Sequence, residues 1–212
     1  VLNYTLENPF FFGSLSQEQI KFVELSQELD KARRQANNRK EKSLIIQLLS
    51  QYFDIRNYHE VARLADSYLE KFDSEDTQVL NYSHIGNKHI GRRAAAKRAL
   101  EKAIELDPNQ SAFRYNYSLL VSETDGNQMS LEYLTNLPES IRADKSIQCR
   151  IVILKDELGV DVLNEAFDIT QNYKQNPGSF SKFDVEYLLE RIHTIAKKQF
   201  TRRIETKNRE ER

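Results

Sequence analysis

Along most of the chain the apolar residues recur at helical rather than strand intervals. Ile20, Val23 and Leu29 fall on or near one helical face, and Ser16 with Gln19 forms a capping-box pair, so a first helix is predicted from Ser16 to about Asn37. The pattern beyond it predicts helix pairs at roughly 42–55 with 57–72, 76–91 with 93–106, 110–123 with 128–137, and 144–157 with 160–174. A closing helix is predicted from Ser181, where Asp184 follows three residues on, and it carries Val185, Leu188, Leu189, Ile192, Ile195 and Phe200. No stretch alternates apolar and polar as a half-buried strand does. The last dozen residues, TRRIETKNREER, have Ile204 as their one apolar anchor and read as a charged extension, helical or frayed.

The pattern also repeats. In RRAAAKRALEKAIELDPNQ, residues 92–110, the small or apolar positions are Ala96, Leu100 and Ala103, and Pro108 closes the helix. Val61, Ala65, Tyr68 and Asp73 stand 35 residues upstream of these four. Ala166, Thr170 and Tyr173 stand 70 downstream of the first three, with Pro177 one place early. Asn81-Tyr82-Ser83 and Asn116-Tyr117-Ser118 are likewise 35 apart. Self-similarity at this period marks a solenoid, whose units each leave an apolar face that only a neighbour can bury.

These residues resemble the tetratricopeptide repeat over about residues 42–178. Ser83 and Ser118 resemble the small first-helix position where the two helices of a unit approach, and Tyr58 resembles the aromatic of the turn. Ala96, Ala103 and Pro108 match second-helix positions. The resemblance implies an all-α, right-handed superhelical solenoid of antiparallel helix pairs. The organisation expected is an arm at 1–15, a single helical-repeat domain at 16–200 with about four pairs and flanking capping helices, and a charged extension at 201–212. The period is 35 rather than the family's 34, the first-helix Trp is absent, and Pro138 cuts the third unit's second helix short.

Composition narrows the chemistry. With 39% hydrophobic and 30% charged residues, 6 Gly, 4 Pro and no Trp, the chain is rich in exposed helix. A net charge of -1 recommends neither nucleic acid nor membrane as a partner, so any charge argument is local. The single Cys149 excludes an internal disulfide and reads as a small buried hydrophobe. No apolar run is long enough to insert in a membrane. The chain opens on Val1, so an upstream segment is expected to have been removed, and the default placement is cytoplasmic.

Enzyme motifs are missing. His59, His84, His89 and His193 form no metal-binding pair on a helix face, and neither a phosphate-cradling glycine loop nor a nucleophile elbow is present. The expectation is a non-enzymatic scaffold or adaptor with no cofactor and no metal. Its partner would be a protein or peptide, acidic if the local cations contribute, held in the groove that the resemblance assigns to the first helices.

Asn81 and Asn116 match a first-helix position that hydrogen-bonds peptide backbone in clamp-like members of the family; the other reading is that they bridge neighbouring helices. Between Thr77 and Leu100 there is no Asp or Glu, while Lys88, Arg92, Arg93, Lys97 and Arg98 all fall there. Lys88 and Arg92 are expected to share a helix face if the first helix reaches that far, placing Asn81, Lys88, Arg92, Arg93 and Asn116 as the partner-binding candidates.

Two other readings stand beside this one. Lys31, Arg33, Arg34, Arg39, Lys40 and Lys42, with Lys197, Lys198, Arg202 and Arg203, make a candidate nucleic-acid footprint. The chain also fits a structural arm of a larger assembly or enzyme. Asn8-Pro9-Phe10 resembles an adaptor-docking tripeptide but reads better as part of an aromatic arm, and the triplets at Asn3, Asn81 and Asn116 are not read as glycan sites.

Overall fold

The computed structural model describes residues 16–175 and 185–210. The arm at 1–15 with its Asn-Pro-Phe and Asn3, Pro177, the start at Ser181, and residues 211–212 lie outside the described residues. Within them there are eleven helices and no strand: α1 Gln17–Arg34, α2 Asn38–Asp54, α3 Tyr58–Lys71, α4 Thr77–His89, α5 Arg93–Leu106, α6 Ser111–Thr124, α7 Asn127–Thr135, α8 Glu139–Arg142, α9 Lys145–Glu157, α10 Leu163–Gln175 and α11 Val185–Glu210. The chain divides into two compact units, the first ending at Leu106 and the second beginning at Asp107.

Local chemistry sets the helix boundaries. The Ser16 backbone N–H donates to Gln19 Oε1 at 2.9 Å and the Gln19 N–H to Ser16 Oγ at 3.3 Å, completing the capping box. Asn37, Asn57, Asp76 and Asp144 cap α2, α3, α4 and α9 by accepting from N–H groups of the first turn. At the other ends the chain turns through left-handed residues, and Arg56 (φ 58°), Gly91 (φ 80°) and Gly126 (φ 94°) are spaced 35 apart. At Gly91 the N–H donates to Lys88 O, and that of Arg92 to Asn87 O, the paired bonds of a Schellman cap. The same pair closes α2 at Arg56.

In the first unit, the second-helix positions that define the repeat are the ones sealed from water. Val61, Ala65, Ala96, Leu100 and Ala103 are all 0% exposed, and Tyr68 is buried. Small residues let α3 and α4 come close. A Cβ added at Gly86 would lie 2.5 Å from Ala62 N and 2.8 Å from its Cα. One turn along, Asp66 accepts from Ser83 Oγ at 2.6 Å and from Asn87 Nδ2 at 3.1 and 3.2 Å.

Ser83 therefore faces the preceding pair rather than its own partner helix, which corrects its assignment to the close approach within a unit. His84 meets that partner, its Nδ1 lying 3.3 Å from Ala96 O. The period places Ser83 and Ser118 alike. Ser118 does lie at its own pair's contact, its carbonyl accepting from Ser130 Oγ at 2.7 Å.

One buried charge supports the first unit. Glu41, 2% exposed, accepts from Lys71 Nζ at 2.7 Å and Arg33 Nε at 3.2 Å, linking α2 to α3 and α1. Burial pushes its carboxyl pKa up. The hydrogen bonds and charges of Lys71 and Arg33 outweigh that and hold it below the ordinary 4.5.

The second unit is built with other devices. α7 ends at Thr135, two residues before the Leu137-Pro138 step, and Pro138 opens the short α8, which buries Ile141 beside Leu134, Ile147 and Leu154. Cys149, Val152, Ile153, Val162, Ala166, Ile169, Ile192 and Ile195 form a second cluster among α9, α10 and α11. Gln199, 4% exposed, fixes α11 by accepting from Val162 N–H at 2.6 Å and donating to Asp156 Oδ1 and Val160 O, each at 2.9 Å.

Two glycines separate clash from backbone strain. Gly86→Ala should cost about 1–3 kcal/mol through overpacking against the α3 backbone, despite alanine's better helix propensity. Gly91→Ala, with nothing within 4 Å of an added Cβ, should cost about 1–2 kcal/mol through the left-handed φ alone. Urea unfolding of both variants checks this, and a neutral Gly86→Ala would remove the close approach from the account. Arg33→Met with Lys71→Met should cost about 3 kcal/mol at pH 7 by leaving Glu41 buried and unpaired. The native pairing stabilises above pH 4.5 and is lost as pH falls through the lowered pKa, so the gap to the variant should close in acid.

Candidate interaction surface

α4 carries two of the five candidate residues, Asn81 and Lys88. Its inward face is Val79, Leu80, Ser83, His84, Gly86 and Asn87, all buried. Helical spacing puts Asn81, Ile85 and Lys88 together on the opposite stripe, where all three are half-buried. Asn81 and Lys88 each have at least one polar or electrostatic neighbour in the chain, as does Asn116.

The expectation that Lys88 and Arg92 share a helix face is corrected. α4 stops at His89, Gly91 reverses the chain, and Arg92 closes the turn with its backbone N–H. Arg92 and Arg93 are exposed, one before α5 and one at its first position. Asn116 belongs to the second unit, half-buried on α6, whose buried positions are Phe113, Ser118, Leu120 and Val121.

An aromatic cluster borders this region of the first unit. Phe53 packs edge-on to Tyr58 and Tyr82 with ring centroids 6.3 and 6.0 Å apart. Tyr58 stacks on His89, with centroids at 3.8 Å and planes within 8°. The aromatic expected at the turn is therefore in place, and it joins one pair's turn to the next. Sequence reasoning passed over both the stack and Arg56. The spacing of Arg56 from Gly91 and Gly126 was the available signal, hidden because arginine occupies a position that glycine usually fills.

Many cations proposed for nucleic acid are occupied internally. Arg33 is bound to Glu41, Lys40 pairs with Glu28, and Lys42 lies over the Tyr68 and Phe72 rings at 5.9 and 5.5 Å. In the second unit Lys198 pairs with Asp156 at 3.1 Å and Arg203 with Asp161 at 2.7 Å. The Leu163 N–H, then Arg203, hold the Asp161 carboxyl below its ordinary range.

Among the described residues no group of three or more His, Cys, Asp or Glu is placed to hold a metal. None of their helices is long and apolar enough to cross a membrane. Cys149 is fully buried, and burial pushes its thiol up to about 12.

No protein-family model matches the chain, and no curated protein matches it. Among solved structures it is similar to the crystal structure of MamA protein, with a TM-score of 0.54 and 14% identity over 74% of this chain and 93% of that one. The likeness is to a tetratricopeptide-like helical repeat and bears out the all-α helical-repeat fold.

The burial of Cys149 gives a direct chemical check. Iodoacetamide at pH 8 should leave the native thiol unmodified and alkylate it fully in denaturant; rapid native modification would contradict its burial. The raised pKa also means that stability is kept below the unfolded thiol's value and lost as pH climbs toward 12.

Proposed function

We propose that this chain is a non-enzymatic interaction scaffold that binds peptide or protein partners on the outward stripes of its first helices. Asn81 and Lys88 act in the first unit, Arg92 and Arg93 at the turn beside them, and Asn116 in the second unit. The observation that carries this reading is the α4 stripe of Asn81, Ile85 and Lys88, which lies opposite the helix's buried face. An amide and a cation flanking a half-buried isoleucine combine backbone hydrogen bonding, charge and apolar contact on one surface. The tetratricopeptide-like fold supports it, since helical repeats offer extended surfaces to partners.

Affinity capture with the full chain, compared with Asn81→Ala/Lys88→Ala and with Asn116→Ala, tests the assignment. Each lost hydrogen bond or charge contact is worth about 1 kcal/mol, so the double variant should hold its partner roughly thirtyfold more weakly. Undiminished capture by both variants would remove these residues from the site.

A further inference from the structure

The α3–α4 packing has a fixed register, and it brings two cationic turns together. Tyr58 stacks on His89, Ala62 lies against Gly86, and Asp66 binds Ser83, so each four-residue step along α3 is met by a three-residue step back along α4. Carried two residues past Tyr58, this antiparallel register brings Arg56 to the level of the Ile90–Arg92 turn. A chain advances at most about 3.5 Å per residue, so Arg56 and Arg92 are each anchored within about 10 Å of the stack.

Arg56, Arg92 and Arg93 are exposed, and none is ion-paired among the described residues. Elsewhere in this unit Arg33 is bound by Glu41 and Arg63 by Glu60. Glu60, the carboxylate two residues after Tyr58, is thus already engaged, which leaves Asp54 as the acid beside the α2–α3 turn. Arg56, Arg92 and Arg93 stand on the two turns beside one aromatic stack, so their like charges repel, and none has an ion pair among the described residues to offset this.

Arg56 also holds φ 58° where the next two helix pairs have glycine, at Gly91 and Gly126. Ala36 adopts the same conformation without any charge, so strain by itself marks no site. What distinguishes Arg56 is its exposed guanidinium at the level of Arg92.

We propose that this turn edge, formed by Arg56, Arg92 and Arg93 around the Tyr58–His89 stack, docks an anionic segment of a partner protein. It rests on the scaffold reading above and adds the chemistry of the partner. Guanidinium forks take carboxylate or phosphate oxygens two at a time, and adjacent aromatic rings cover the peptide's apolar atoms. The shared chemistry is a pair of anionic oxygens, from clustered Asp and Glu or from one phosphorylated side chain. The small cluster on a chain of net charge -1 suits a short peptide better than a nucleic-acid backbone, which needs cations along an extended track.

The test is fluorescence anisotropy of the 212-residue chain with four labelled twelve-residue probes. These are a Glu/Gly peptide, a Ser/Gly peptide with one phosphoserine, an uncharged Ser/Gly peptide and a thymidine oligonucleotide. One or both anionic peptides should bind above the uncharged control and weaken as salt rises from 50 to 500 mM, and the tighter identifies the anion source.

Arg56→Gly removes the charge while relaxing the backbone, so it should fold at least as well as the parent and bind roughly threefold to fivefold more weakly. Arg92→Glu/Arg93→Glu should bind more than tenfold more weakly. Equal binding of the anionic and uncharged peptides, parental binding by both variants, or tight binding of the oligonucleotide alone would overturn the proposal. In the capture experiment, loss on Asn81→Ala/Lys88→Ala with full retention by Arg56→Gly would overturn this edge and leave the scaffold reading standing.

Discussion

The first unit depends on the contact between Gly86 and Ala62, where a helix comes so near its neighbour that even one methyl group would collide with backbone. Close packing of this kind locks one helix against another in a single register. Everything else along that seam follows the register: Asp66 opposite Ser83 and Asn87, Tyr68 reaching Asp76 at 2.9 Å, and Tyr58 flat against His89. The polar contacts hold the register, and the small residues make it reachable. Leucine at either small position would move every partner on both helices.

The second unit meets the same problem with longer side chains. Where the first packs glycine and alanine, the second ties α11 down through Gln199, which bonds to two backbone groups and a carboxylate in a nearly dry site. Pro138 follows the short second helix of its first pair, and Leu134, Leu137 and Ile141 are buried together with Ile147 and Leu154. The repeat is thus kept where small residues permit close approach and replaced by local solutions where they do not.

The functional reading comes from what the packing leaves over. Once α4 has committed Val79, Leu80, Ser83, His84 and Gly86 to its neighbours, Asn81, Ile85 and Lys88 remain on the far side. The chain reversal at Gly91 then takes Arg92 and Arg93 off the helix and onto its edge. The outward stripe of α4 and the turn edge are two surfaces of one packing scheme, and Asn81 and Arg56 belong to different ones.

Much of the fold was legible in the sequence because helical periodicity and burial are local and additive. Alanine at 96 and 103, proline at 108 and the 35-residue spacing predicted which faces are sealed, and those faces are sealed. Phase between helices is different, since it depends on how two surfaces settle against each other. Ser83 looks from its spacing like a contact within its own pair, yet its hydroxyl binds Asp66 of the preceding pair. Lys88 and Arg92, four apart, are separated by a turn, and Arg56 joins the edge only through the α3–α4 register. The sequence by itself determined most of the helices and the buried positions of the repeat. The tertiary structure alone decided which charged side chains stand together, because that depends on the close approach of backbones distant along the chain.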